Sequence, residues 1–160
     1  MKTPYIFLAG TLLAFSAPAA SQDIFVSAEA AAVEAVSRDL DRKLAAAYTP
    51  RTQPLGEGVA IVRFERGADG LPINVEIYRK SGNFGVDRLA RHAVSRLGRN
   101  APLPHTGIPG QSYQANIIVA NSMKSHAELA AQLAKLEVKR LADPGERAVL
   151  AFTPAPRKES

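Results

Sequence analysis

The chain has 160 residues, with 20 Lys and Arg against 15 Asp and Glu, a formal net charge of +5, and no cysteine. That length fits one domain of ordinary size, and the lack of cysteine excludes both a disulfide framework and the lipidated cysteine of a bacterial lipoprotein. The modest positive surplus favours anionic contacts such as acidic loops, lipid head groups or cell-wall polymers, and 3 His without Cys argue against a transition-metal centre.

Residues 1–21 have the pattern of an export signal: Lys2 gives a short positive start, Tyr5 to Phe15 an apolar run, and Ala17 to Ser21 the small residues of a cleavage site. Cleavage is expected after Ser21, with Ala19 three positions before the cut. A spanning helix needs roughly 20 predominantly apolar residues, and Pro18 interrupts this run. The expected location is therefore the periplasm, the alternative being an inner-membrane anchor formed by an uncleaved signal.

The segment 22–57 is expected to hold one helix and a Pro/Gly-containing loop. Val33, Val36, Leu40, Leu44 and Ala47 recur at steps of three and four, with Arg38, Asp39, Asp41, Arg42 and Lys43 on the solvated side, which predicts a helix over Ala28 to Ala47. Ser27 is the expected N-cap. Pro50, Pro54, Gly56 and Gly58 break regular structure after it.

The segment 58–121 carries the folding pattern. Val59 to Arg66 alternates, with Ala60, Val62 and Phe64 on one face and Val59, Ile61, Arg63 and Glu65 on the other; Ile73, Val75 and Ile77 repeat that alternation. Gly67-Ala68-Asp69-Gly70 between them predicts a tight hairpin. A hairpin alone is marginal in water and needs a cover. Val86, Leu89, Ala90, Ala93, Val94 and Leu97 supply one as the apolar side of a helix closed by Gly98, whose backbone can turn left-handed. After the prolines 102, 104 and 109, Tyr113, Ala115, Ile117 and Val119 alternate with Gln114, Asn116 and Ile118 as a third strand over Gln111 to Ala120.

These residues, in this order, resemble the C-terminal domain of the TonB family, the periplasmic adaptors that engage outer-membrane transporters. The resemblance rests on Gly58-Val59, Phe64, Asp69-Gly70, Val75, Ile77, Ser81-Gly82, Asp87, Ala90, Ala93-Val94 and Pro102-Leu103-Pro104, and covers residues 40–121. It implies an α+β fold: a three-stranded antiparallel sheet packed on one main helix, with extra helices at both ends. It also implies strand addition, in which an extended segment of a transporter pairs with the edge of the third strand. Carried over by position, Ser112, Gln114, Asn116 and Ile118 are the candidates beside that edge, on the less buried face. Full-length TonB proteins carry a membrane helix and a long Pro-rich spacer, whereas here only Pro50 and Pro54 separate the first helix from the first strand.

The segment 122–160 is expected to form a helix with Met123, Leu129, Leu133, Leu136 and Leu141 as its apolar stripe, stopped by Asp143-Pro144-Gly145. It has three possible places: on the sheet, on the first helix, or in a dimer interface. Laid along the third strand, it would block the docking edge.

No enzymatic constellation is legible. His92, His105 and His126 lack partners at ligand-like spacing, Ser81-Gly82 is not a Gly-x-Ser-x-Gly elbow, and there is no phosphate-binding Gly-rich loop. The basic set Arg79, Lys80, Arg88, Arg91, Arg96 and Arg99 reads as a solvated face, and export argues against nucleic acid. The expected partner is an outer-membrane transporter or another envelope protein, with a homodimer possible, and neither a cofactor nor a small-molecule substrate is expected. The alternative is a structural or envelope-assembly protein that uses the same scaffold for self-association or TolA-like contacts.

Overall fold

The computed structural model describes residues 20–48, 56–106 and 108–154, with 20–29 described by their backbone alone. The expected export signal lies outside these residues except for Ala20 and Ser21. The elements in chain order are α1 (Ala20–Ala47), β1 (Gly58–Arg66), β2 (Pro72–Arg79), α2 (Phe84–Val94), β3 (Ser112–Val119), α3 (Met123–Ala142) and β4 (Leu150–Phe152).

The fold is α+β, but its sheet is four-stranded and mixed, which corrects the expectation of three antiparallel strands. The strand order is β2-β1-β3-β4; β1 pairs antiparallel with β2 and β3, while β4 joins β3 in parallel. Three layers result, with α1 and α2 on one face and α3 on the other. Ala60, Val62 and Phe64 of β1 face the first layer with Tyr113, Ala115 and Ile117 of β3, and Val36, Leu40, Val86, Ala90, Ala93, Val94 and Leu97 complete that core. On the opposite face Val59 and Ile61 meet Leu133, flanked by Ile118, Leu129 and Leu136. β1 is therefore buried on both faces along most of its length.

Local chemistry sets the element ends. Asn83 caps α2, its side chain accepting from the amides of Gly85 and Val86. Ser122 and Ser125 cap α3 reciprocally as a capping box, and Asp143 closes the same helix. Gly98 has φ +77, and a Cβ there would lie 2.6 Å from the Gly70 carbonyl oxygen. α2 itself ends at Val94, with Ser95 as a right-handed C-cap, earlier than the expected Leu97; Gly98 makes a left-handed bend in the turn that follows, within contact distance of the β1–β2 hairpin.

Three further details differ from the sequence reading. α1 extends from Ala20, so Ser27 lies inside the helix rather than capping it; no breaker separates Ala20 from the Ala-rich run, and alanine propagates a helix well. Asp39, expected in solvent, is 5% exposed because it faces the turn after α2, where the Gly98 amide donates to it. Of the expected α3 stripe, Met123 and Leu141 are exposed, since only the middle of the helix lies on the sheet.

No described helix is long and apolar enough to cross a membrane.

Candidate functional site

A strand rim is a binding surface when its amides and carbonyls lack a partner. The sheet ends on β2 at one side and on the three-residue β4 at the other, so past β4 the outermost strand is β3. The β2 rim carries the features that discourage pairing: it begins with Pro72, holds Asn74 at φ 53, and shows two register shifts against β1. Glu76 and Arg79 add exposed charge along it.

On the β3 rim, β4 pairs with part of the strand. Leu150, Ala151 and Phe152 stand opposite Tyr113, Gln114 and Ala115, and no strand pairs with Asn116 to Val119 on that side among the described residues. The outer side of β3 is thus occupied by the chain's own tail along its first part and has no strand partner along its second, where Asn116 and Ile117 are still 2% and 1% exposed and Ile118 and Val119 are half-buried.

The four residues expected beside this rim have unequal environments. Ser112 is half-buried at the start of β3, and its carbonyl accepts from Gln111 Nε2 at 2.9 Å. Gln114 and Asn116 are 1% and 2% exposed, against the expectation of a less buried face. Ile118 is half-buried against the small cluster under α3. The reason is that α3 packs on the face formed by β3 and β1 and so covers alternate β3 side chains.

Buried amides need partners, and a polar network supplies them. Gln114 Oε1 accepts from Arg63 Nε and Nη2, each at 3.1 Å, and Gln114 Nε2 donates to Asn116 Oδ1 at 2.9 Å and Glu137 Oε1 at 2.8 Å. Arg63 also pairs with Glu146 and sits 3.4 Å from the centre of the Tyr78 ring. Arg140 donates Nε to Glu137 at 2.9 Å and Nη1 to the carbonyls of Glu146 and Val149 at 2.6 and 3.2 Å. Gln111 Nε2 donates to Ala148 O at 2.7 Å. The network therefore reaches from the covered face of β3 to the turn that delivers β4.

Arg63, Glu137, Arg140 and Glu146 were not singled out from sequence. One signal was present: Arg63 shares a strand face with Val59 and Ile61, and a charge in line with buried aliphatics calls for a buried partner.

Titration in this region follows from the same contacts. Tyr113 is pushed above its usual value of 10.0, mainly by burial and against the opposing charge of Arg66, and its hydroxyl donates to Pro104 O at 2.9 Å. At the far end of β3, Glu57 is held below its usual 4.5 by bonds from the Ser125 hydroxyl and the Asn121 amide.

The remaining concavities do not bring reactive groups together. A groove of about 270 Å³ between α1 and the Pro102–Pro104 loop contains Asp39, Arg38 and Arg42, all engaged in local pairs. Among the described residues, no group of three His, Cys, Asp or Glu side chains could hold a metal ion. Arg79, Lys80, Arg88, Arg91, Arg96 and Arg99 are all exposed.

Compared with known proteins, the chain matches no family model, no curated protein and no solved structure. The β3 rim therefore has to be judged on its own geometry.

Proposed function

We propose that this chain is a non-enzymatic periplasmic binding module of the TonB type, which captures an extended segment of an outer-membrane protein by strand addition on β3. One observation carries the reading: the outer side of β3 pairs with a parallel strand over Tyr113–Ala115 and has no strand beyond Ala115 among the described residues. Each main-chain bond contributes only about 1 kcal/mol net. The unpaired stretch thus offers a short foothold at the half-buried Ile118 and Val119, and a longer guest would also need the place held by β4.

The rim competes well with the alternatives in the molecule. The β2 edge is blunted by Pro72 and its bulges. No described cluster has the composition of a catalytic centre. The resemblance of residues 40–121 to TonB C-terminal domains supports the same assignment, with a transporter's N-terminal segment as the guest and transport across the outer membrane as its context.

The test is a binding titration of the full chain with peptides from the N-terminal boxes of outer-membrane transporters, each made with ordinary and with N-methylated backbone amides. Capture by main-chain pairing predicts binding that N-methylation abolishes. Binding indifferent to N-methylation would exclude strand addition.

A second reading has its own support. Because β4 already covers Tyr113–Ala115, the rim also suits a structural or envelope-assembly protein in which β3 is closed by its own chain or by a second copy. Sedimentation over a range of concentrations tests the second-copy form, and a monomer throughout removes it.

A further inference from the structure

The outward side of α2 is cationic along its length. Val86, Ala90, Ala93 and Val94 turn into the core, and at about 3.6 residues per turn the opposite line of the helix carries Phe84, Arg88, Arg91 and His92, all exposed. Arg79 and Lys80 lie just before it, at the end of β2. There the Ser81 amide donates to Asp87 Oδ1 at 2.7 Å, which fixes the strand end against the first turn of the helix. Farther along, Arg91 Nη2 reaches the Val75 carbonyl at 3.5 Å and so lays the same side of the helix along β2.

Acidic groups are turned away from this surface. Asp87, the one acidic residue of α2, is engaged by the Ser81 amide. Glu76 of β2 stands opposite Arg63 in the register; because Val75 and Ile77 pack on the main core, alternation sends Glu76 to the other face of the sheet. Among the described residues, ion pairs form at Arg38, Arg42, Arg63 and Arg140, and at none of Arg79, Lys80, Arg88 and Arg91. Phe84 protrudes at the head of the same line and is 80% exposed, more than any other large apolar side chain described. Neither the cap of α2, which Asn83 supplies, nor the core uses its ring.

We propose that this surface docks on a bilayer of anionic phospholipid, with Phe84 entering the boundary between head groups and acyl chains while Arg79, Lys80, Arg88 and Arg91 meet lipid phosphates. The charge sets the sign of the partner and the ring sets its class. Cations without acidic partners attract phosphate of any origin, but a soluble polyanion offers nothing to a ring that water surrounds. A bilayer places apolar depth directly beneath its phosphates, and an exposed aromatic with cations one and two helical turns away matches that layering. One ring and a few charges make a reversible contact that salt weakens. The proposal uses no residue of β3 and does not depend on strand capture.

The chain contains no tryptophan, so Phe84→Trp in the full chain gives a single reporter at the surface in question. Its emission is titrated with vesicles of equal parts phosphatidylcholine and phosphatidylglycerol, with vesicles of phosphatidylcholine alone, and with soluble polyphosphate. The emission should move to the blue on the anionic vesicles and stay unchanged with the other two. Each cation near such a surface contributes about fivefold in affinity, so Arg88→Gln with Arg91→Gln in the same chain should weaken the titration at least about tenfold. All three positions are exposed, which leaves the fold in place.

An emission that does not move on anionic vesicles overturns the proposal. So does an equal shift on phosphatidylcholine alone, or an affinity unchanged by the two arginine substitutions. A shift of the same size with soluble polyphosphate would assign the surface to polyanions in solution and overturn the lipid assignment.

Discussion

The buried carboxylate of Asp39 on α1 accepts a hydrogen bond from the amide of Gly98 at 3.1 Å, joining the first helix to the turn that follows α2. Its other oxygen takes the Arg42 guanidinium, so the two oxygens bridge a surface charge and a buried amide. Asp39→Ala leaves that amide without its acceptor and should cost about 1–3 kcal/mol. Asp39→Asn retains a carbonyl acceptor and should cost less. Urea midpoints of the three chains check the order, and an Ala variant as stable as wild type would contradict it.

Gly98 and Gly82 both have positive φ, but their surroundings differ. A Cβ on Gly98 meets the Gly70 carbonyl oxygen at 2.6 Å, whereas a Cβ on Gly82 meets nothing within 4 Å. Gly98→Ala should therefore lose more than the about 1–2 kcal/mol of a left-handed alanine alone. Gly82→Asn should be nearly neutral, within about 1 kcal/mol. Thermal unfolding of the two variants side by side gives the comparison.

α3 is held to the sheet by a small apolar cluster in which Leu133 is its one buried residue. Leu133→Ala should cost about 2 kcal/mol, the low end for such a truncation, because half-exposed neighbours can relax around the gap. It should also loosen the cover over Gln114 and Asn116, whose side-chain amide signals would then exchange faster with water. Unchanged exchange would mean that the polar network alone retains the helix.

Two groups give stability a pH dependence of opposite sign. The Glu57 carboxyl is held below 4.5 in the folded chain, so its contribution is present above that pH and fades as pH falls through the lowered value. The difference in stability between wild type and Glu57→Gln should be constant above about pH 5 and shrink below it. Tyr113 is raised above 10.0, so its contribution is whole below that pH and is lost as pH rises through the raised value. Tyr113→Phe should remove that alkaline loss.

Much of this fold is legible in the sequence because its elements have strong periods. β1, β2 and β3 alternate and α2 repeats at helical spacing, so these elements match their expected order, although α2 ends at Val94 and Gly98 lies in the turn after it. β4 is not legible: three residues carry no usable period, and their parallel partner lies far back in the chain at Tyr113–Ala115. Polarity also misleads where a cover is absent from the local pattern. Gln114 and Asn116 read as solvated, yet α3 buries them, and partners remote in sequence, Arg63 and Glu137, make that burial tolerable. Asp39 misleads in the same way, through Gly98.

The central claim is that β3 accepts an extended guest at its rim, and amide hydrogen exchange with residue resolution tests it most directly. Adding a transporter-derived peptide to the full chain should slow those amides of Asn116–Val119 that exchange freely in the protein alone, while the β2 amides keep their rates. Protection that falls on β2 instead, or rim amides that stay unchanged at saturating peptide, would contradict it.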